Sequence, residues 1–289
     1  GRRRRHDTDP PLLGAARVAG EVRDGQRRRD LQRRRRLLLR PPSGRLQVGG
    51  FVTRTPITRI FLDFELEPDE ALELPQNEAN HVLKVLRGRT GDTVEVVDGV
   101  GRLFAAELRG GRDVVVVEEL AAPPGHDFEV SLFQAVPKGG RMDLVVEKAT
   151  EVGAASIVPL LTERGVVNPR EGKVGRWRRV AYAASRQSLR LSVPEVAVPV
   201  SFESAVSQAG EAGVLLHNEP GLQPVEAVVG SMASLFVGPE GGWSEHELRL
   251  AEEAGIAFGS LGPYRLRSET AGIVAVTRAF AALLSRVKH

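Results

Sequence analysis

The sequence predicts an α/β fold in which a strand-rich amino-terminal part precedes a mostly parallel sheet. Three observations predict it: short β-rich runs before residue 125, apolar strand-like runs that alternate with helical stripes after it, and two glycine turns that each follow such a run. Strands that alternate with helices indicate a parallel sheet, whose ligands bind at the carboxyl ends of the strands. A chain of 289 residues is long enough for two domains with their own cores.

The charge is divided unevenly along the chain. Residues 1–55 hold 16 Arg, no Lys and 5 acidic residues, whereas residues 56–289 hold 24 basic and 32 acidic residues. Such an arginine-rich segment cannot bury enough apolar surface to offset its ordering entropy. We therefore expect residues 1–55 to be a disordered and dispensable extension. An RNA-binding arm is the alternative interpretation.

Composition excludes several classes of site. The absence of cysteine excludes disulfides, thiolate metal sites and cysteine nucleophiles, and the six histidines include no pair at metal-ligand helical spacing. We therefore expect no metal. No apolar run approaches eighteen residues, so we expect no membrane-spanning helix and no membrane partner. A cytoplasmic location fits this composition.

Residues 56–125 are interpreted as a small β-barrel-like domain. An amphipathic helix is predicted over 77–86, where apolar residues recur at a spacing of three to four. Asp98-Gly99 is a hairpin-type turn between two β-rich runs. The predicted strands cover 59–63, 93–97, 103–106 and 113–118, and residues 121–125 are the predicted linker.

Residues 126–289 are interpreted as the α/β domain. The predicted strands cover 130–135, 157–161, 214–216, 233–237 and 256–261. The predicted helices cover 142–152, 174–189, 244–254 and 273–287, with Gly153 and Gly255 after the first and third of them.

The first glycine turn follows the apolar run Leu235–Val237 and opens a helix. Ser244 and Glu247 stand at the spacing of a capping box, just before the apolar positions of that helix. A strand, a glycine turn and a capped helix bring backbone N–H groups together where a ligand approaches closely. Gly241 is expected to face that ligand.

The second glycine turn, at Gly262-Pro263, follows the last predicted strand. Ser268 is the predicted N-cap of the terminal helix, and Glu269 suits the first helical turn. Neither turn matches the G-x-G-x-x-G or Walker pattern. Two such turns on consecutive strands are expected to enclose a small cofactor.

A basic cluster occupies residues 164–190, within an otherwise acidic body. It holds eight cationic residues against Glu171, with Trp177 and Tyr182 among them. Such a cluster indicates a phosphate-contacting surface, and a solvated helix face is the alternative. The residues predicted to contact RNA are Lys138, Arg141, Arg164, Arg176, Arg179, Gln187 and Arg190.

The motifs of residues 57–289 resemble the RsmE family, whose members methylate N3 of a uridine in 16S ribosomal RNA. The matching stretches are Gln134–Asp143, Glu147–Gly153, Pro159–Arg164, Arg176-Trp177, Gln187-Ser188, the Gly238 turn, Leu261–Ala271 and, nearer the amino terminus, His81–Arg87 with Gly91-Asp92. They occur in the family's order, and residues 1–55 lie outside them.

The resemblance implies an amino-terminal PUA-like barrel over 56–125 and a SPOUT methyltransferase domain with a deep trefoil knot over 126–289. It also implies a homodimer, S-adenosylmethionine as cofactor and 16S rRNA of the small ribosomal subunit as partner. The implied cofactor-binding residues are Leu215, Leu216, His217, Val237, Gly238, Pro239, Glu240, Gly241, Leu261, Gly262, Leu266, Arg267, Glu269, Thr270 and Ala271.

Methylation of uracil N3 requires loss of its proton and stabilisation of the developing anion. Arg267 is the expected stabilising group, and Glu240 and Glu269 are the candidate bases. Two alternatives stay open at this point: a SPOUT methyltransferase that modifies a ribose 2′-OH or a transfer RNA, and a non-catalytic RNA-binding protein.

Overall fold

A computed structural model describes residues 58–122, 125–169 and 171–287. The predictions for residues 1–55 lie outside these ranges. The described residues form two compact units, one built from 64–96 and 104–119 and the other from 58–63, 97–103 and the chain from residue 120 onward.

The first sheet has five strands in the order β1-β3-β4-β5-β2. Its strands are β1 (Arg59–Phe61), β2 (Ala71–Glu73), β3 (Thr93–Val97), β4 (Leu103–Gly110) and β5 (Asp113–Leu120). The predicted helix is present as α1 (Gln76–Asn80), which continues into a π-helical turn at His81–Val85. Strand β2 was not predicted because it is three residues long and buries only Leu72, which leaves no alternation to detect.

The second sheet contains β6 (Glu129–Ala135), β7 (Ser156–Leu161), β8 (Glu195–Val196), β9 (Val200–Ser201), β10 (Gly213–Leu216), β11 (Met232–Val237) and β12 (Ala257–Gly259). Its order is β12-β10-β11-β6-β7-β8, with β9 also paired to β7, and every pairing is parallel. The helices are α2 (Met142–Glu151), α3 (Glu171–Gln187), α4 (Phe202–Ala209), α5 (Val225–Val228), α6 (Glu245–Glu253) and α7 (Ser268–Leu284). The predicted parallel α/β domain is confirmed.

Successive residues of β6 and β11 belong to two separate hydrophobic cores, one on each face of the sheet. Leu132 and Leu235 belong to a cluster that includes Val145, Trp177 and Ala275 from the helices. Their neighbours Phe133 and Phe236 belong to a second cluster, which contains Phe202, Trp243 and Ala251. Because successive side chains of a strand point to opposite faces, the sheet is covered by helices on both sides.

The register of the central strands places their carboxyl ends side by side. Val237 pairs with Gln134 on one side and with Leu216 on the other, and Leu216 also pairs with Gly259. The chain leaves all four strands at this edge. Parallel pairing therefore brings together loops that are up to about 130 residues apart in the sequence.

Ser244 and Ser268 are the two predicted N-cap residues, and the prediction for Ser268 is wrong. The capping box of α6 is confirmed, because Ser244 and Glu247 exchange backbone-to-side-chain hydrogen bonds of 3.1 and 2.8 Å. Helix α7, in contrast, is N-capped by Arg267 without a side-chain hydrogen bond, and Ser268 is already helical. The Ser268 hydroxyl instead accepts a hydrogen bond from Gln134 Nε2 at 2.9 Å and donates one to the Gly238 carbonyl at 2.7 Å.

Two kinds of feature are absent from the described ranges. No helix there has both the length and the apolar character that a bilayer span requires. The same ranges contain no group of three or more His, Asp or Glu side chains arranged to hold a metal ion.

Candidate active site

The loops at the carboxyl ends of β10, β11 and β12 enclose a cleft of about 360 Å³. Its walls combine apolar residues and glycines with polar and charged residues. The cleft is lined by Leu216, His217, Asn218, Val237, Gly238, Pro239, Glu240, Gly242, Trp243, Leu261, Gly262, Tyr264, Arg265, Leu266, Arg267, Ser268 and Ala271. Its position matches the expectation that ligands of parallel sheets bind at strand ends.

Trp243 braces two walls of this cleft. Its indole is buried, and Nε1 donates a hydrogen bond of 3.0 Å to the carbonyl of Leu216, the last residue of β10. A Cβ at Gly238 would lie 3.0 Å from the indole, so glycine at this position lets the ring pack directly on the backbone. The strand end and the Gly238 turn are therefore held together by one side chain.

A second brace begins at Gln134, at the end of β6. The Gln134 amide is fully buried, and its Nε2 donates to the Ser268 hydroxyl at 2.9 Å and to the Ala135 carbonyl at 3.0 Å. Ser268 in turn donates to the Gly238 carbonyl. This chain of hydrogen bonds joins the start of α7 to the Gly238 turn.

The two candidate bases share one arginine. Arg141 Nε lies 3.4 Å from Glu269 Oε1, and Arg141 Nη1 lies 4.0 Å from Glu240 Oε1. Glu240 Oε1 also accepts a hydrogen bond of 3.1 Å from the Lys138 amide. Glu240 therefore lines the cleft and also braces the loop that follows β6.

Glu269 is the more buried of these carboxylates. Its side chain is 8 % exposed, and its Oε2 atom has no hydrogen-bond partner within the described residues. A buried carboxylate oxygen without a hydrogen-bond partner is unfavourable. Glu269 is not among the residues that line the cleft, and its recorded charged partner is Arg141.

Further contacts fix the loops around the cleft. Arg265 Nη2 donates to the Glu240 carbonyl at 3.1 Å, which ties the second glycine turn to the first. Glu247, which is fully buried, accepts the Glu163 amide at 3.0 Å in addition to closing its capping box. Each of these loops is therefore held by groups from another segment of the chain.

Most residues implied to bind the cofactor lie in the cleft wall. Those that do are Leu216, His217, Val237, Gly238, Pro239, Glu240, Leu261, Gly262, Leu266, Arg267 and Ala271. They come from three separate strand ends, and the parallel register is what assembles them. Their contact with a cofactor remains a prediction.

Four residues of that set are not in the wall. Leu215 is fully buried because it faces the Phe236 core, and Thr270 is exposed on the first turn of α7. Glu269 pairs with Arg141. Gly241 is likewise outside the wall, and a Cβ added there would lie 3.1 Å from Cβ of Arg164.

Six residues of the wall were not assigned to it from the sequence: Asn218, Gly242, Trp243, Tyr264, Arg265 and Ser268. Trp243 and Ser268 could have been identified as wall residues from the sequence. The large aromatic Trp243 directly follows the first glycine turn, and the hydroxyl residue Ser268 follows the second. Tyr264 is 81 % exposed at the mouth, and its neighbour Arg265 anchors the turn.

The basic cluster is partly structural. The Arg190 guanidinium donates to the Thr150 carbonyl at 2.7 Å, and burial lowers its pKa. Arg164 donates to the Gly241 carbonyl at 3.2 Å. The Asp143 carboxylate bonds to Arg176 at 2.6 Å and raises the pKa of that guanidinium.

Arg179 and Lys173 are the exposed cations of α3 without a recorded hydrogen bond or ion pair in the described part of the chain, and Gln187 is also exposed. Lys138 and Arg141 lie in and after the loop that follows β6, beside Glu240. The residues predicted to contact RNA therefore do not form one unpaired surface, because several of their charges are already used within the fold.

Comparison with known proteins agrees with this architecture. A family model described as an RNA methyltransferase domain matches residues 124–279, and a model described as an RNA methyltransferase PUA domain matches residues 74–119. The fold is therefore that of an RNA methyltransferase.

Comparison with individual proteins identifies the kind of RNA methyltransferase more narrowly. Ribosomal RNA small subunit methyltransferase E from Mycobacterium bovis is 35% identical over 216 residues, which cover 69% of this chain and 82% of that protein. The protein of the same name from Synechocystis is 32% identical over 232 residues, covering 75% of this chain and 77% of that one. The crystal structure of ribosomal RNA small subunit methyltransferase E from Neisseria gonorrhoeae bound to S-adenosyl methionine has a TM-score of 0.70 at 28% identity, covering 79% of this chain and 97% of that chain. The chain belongs to the RsmE family of ribosomal RNA small subunit methyltransferases.

Proposed function

We propose that this protein transfers a methyl group from S-adenosylmethionine to N3 of a specific uridine in 16S rRNA of the small ribosomal subunit. The observation that carries the proposal is the cleft at the ends of β10, β11 and β12, in a chain whose family membership is shown. A solved relative holds S-adenosyl methionine, and it shares the fold over 79% of this chain.

The cleft fits such a cofactor in size and chemistry. Its volume of about 360 Å³ lies in the range of small-molecule sites. Leu216, Val237 and Leu261 would hold the apolar part, and the backbone of the two glycine turns would approach the polar part closely. When bound, S-adenosylmethionine supplies an electrophilic methyl group.

The residues of the chain would orient the uracil and handle its proton. Arg267 is exposed at the cleft mouth, and its side chain makes no recorded hydrogen bond or ion pair within the described residues, so it is available to stabilise negative charge on the uracil oxygens. Glu240, which lines the cleft, is the candidate acceptor of the N3 proton, whereas Glu269, the other candidate base, lies outside the cleft wall beside Arg141. The target base must be unstacked to reach the cleft.

The modified nucleoside tests the proposed reaction. Incubation of the enzyme and S-adenosylmethionine with small ribosomal subunits, free 16S rRNA and transfer RNA is followed by digestion and mass spectrometry. We expect 3-methyluridine at one position of 16S rRNA. A ribose-methylated nucleoside or modified transfer RNA would replace this assignment with another substrate. The absence of any product and of S-adenosylhomocysteine binding would favour a non-catalytic RNA-binding protein.

Salt dependence tests the role of the free cations of α3. If Lys173 and Arg179 contact phosphates, replacing both by Gln should reduce the log–log salt slope of RNA affinity by roughly 0.7–0.9 per contact. Fluorescence anisotropy at several salt concentrations measures this slope. The matched control is Arg249→Gln, which removes one exposed cation from α6. Equal slopes in the double variant and the wild type would exclude contact at these positions.

The remaining properties implied by the family belong to the same proposal. We propose that 56–125 is the PUA-like RNA-binding domain, that 126–289 is the knotted SPOUT methyltransferase domain, and that the protein acts as a cytoplasmic homodimer. The matches to residues 74–119 and 124–279 support the division.

A further inference from the structure

We infer that Gln134 is a positioning residue for the proposed cofactor cleft. Its buried amide occupies the space that Gly272 leaves empty and, from outside the cleft, holds part of the cleft wall in place. The inference rests on the proposed function, and it assigns a role to a pair of residues that do not line the cleft.

The fit between these two residues is close. A Cβ added at Gly272 would lie 2.1 Å from Gln134 Oε1 and 3.3 Å from Cδ of the same amide. Gly272 is buried in the second turn of α7, where glycine costs helix stability relative to alanine. The amide therefore lies where the side chain of residue 272 would otherwise be.

The buried amide has a defined orientation. Its Nε2 faces two acceptors, the Ala135 carbonyl and the Ser268 hydroxyl, whereas Oε1 has no hydrogen-bond partner among the described residues. An unsatisfied buried oxygen is unfavourable, so packing alone does not explain a glutamine here. The bond that Nε2 makes to Ser268 is the one that connects the amide to the cleft.

The consequence is a relay between a buried position and the cleft wall. Gln134 holds Ser268, Ser268 holds the Gly238 carbonyl, and Gly238 lies in the cleft wall. The Gln134 amide is nearest to a Cβ added at Gly272, and Gly272 does not line the cleft, so a methyl group at residue 272 would shift that amide from outside the cleft. The distance between the start of α7 and the Gly238 turn would then change.

A double-mutant cycle with Gly272→Ala and Ser268→Ala tests the relay. The affinity for S-adenosylhomocysteine is measured by calorimetry at a temperature where circular dichroism and urea denaturation show each variant to be folded. Gly272→Ala should weaken binding by about tenfold, which corresponds to the loss of one neutral hydrogen bond. In the Ser268→Ala background, the same substitution should have almost no further effect, because the two changes interrupt one chain of contacts.

The control is Gly175→Ala in α3, where the nearest atom to an added Cβ is Arg179 Nη1 at 3.8 Å. Gly175→Ala should leave the affinity for S-adenosylhomocysteine unchanged.

If Gly272→Ala does not fold, Gln134→Met takes its place, since methionine keeps the length of the side chain but removes the amide. Unchanged affinity in the replacement or in Gly272→Ala would overturn the positioning role, as would additive effects in the cycle. Failure of the wild type to bind would overturn both this role and the proposed function.

Discussion

Arg267→Ala is expected to lower the rate of methyl transfer by about 10²- to 10³-fold, the usual cost of removing one group that stabilises charge in the transition state. Arg267 lines the cleft, is exposed and makes no side-chain hydrogen bond or ion pair within the described residues, so the substitution removes no such contact there. Single-turnover measurements with saturating RNA and cofactor report the chemical step.

Two comparisons separate catalysis from binding. Arg267→Lys keeps the charge but loses the planar fork, so it should recover only part of the rate. The affinity for S-adenosylhomocysteine should change little in either variant if Arg267 acts on the uracil. A fall in that affinity equal to the fall in rate would instead place Arg267 against the cofactor.

Trp243→Ala is expected to lower the free energy of unfolding by about 3–5 kcal/mol, because it empties a buried aromatic site. The indole is 4 % exposed, lies 5.1 Å from the Phe202 ring and donates to the Leu216 carbonyl. It also covers Gly238, so the loss should abolish measurable binding of S-adenosylhomocysteine. Urea denaturation and calorimetry below the unfolding transition measure the two effects.

Trp177 provides the matched control, since its indole is equally buried but belongs to the other core. Trp177→Ala should cost comparable stability and leave cofactor affinity intact. Trp243→Phe keeps most of the packing and loses one hydrogen bond, so about 1 kcal/mol is expected. If Trp177→Ala and Trp243→Ala weaken binding equally, the brace at Gly238 has no specific role.

Much of the fold could be predicted because the apolar residues of the strands and helices recur with clear periods. The run at Val130–Ala135 and the stripe at Met142–Val152 have the lengths and spacings of a strand and a helix, and the structure contains both at those positions. The capping box at Ser244 was predictable for the same reason, since its two residues interact within one helical turn. The two-residue strands β8 and β9 carry too few residues for any period to be detected.

The site was predictable in outline only. The glycine turns after β11 and β12 predicted two walls of the cleft, and the order of the family motifs indicated the cofactor. The charge of Arg141 predicts contact with RNA, which stays a prediction, and the structure adds that this guanidinium lies beside Glu269 and Glu240. Arg190 was assigned in the same way, and it donates to the Thr150 carbonyl. Charge alone does not say whether an arginine faces a ligand or another segment of its own chain.

The sequence by itself determined the alternation of strands and helices, the positions of the two glycine turns and the family, because these depend on local spacing and on motifs in order. The tertiary structure decided which atoms meet. Ser268 illustrates the difference: its neighbours in sequence favour a helix cap, but parallel pairing of β6 and β11 brings Gln134 and Gly238 to it. The register of the sheet therefore sets the hydrogen-bond partners of this hydroxyl.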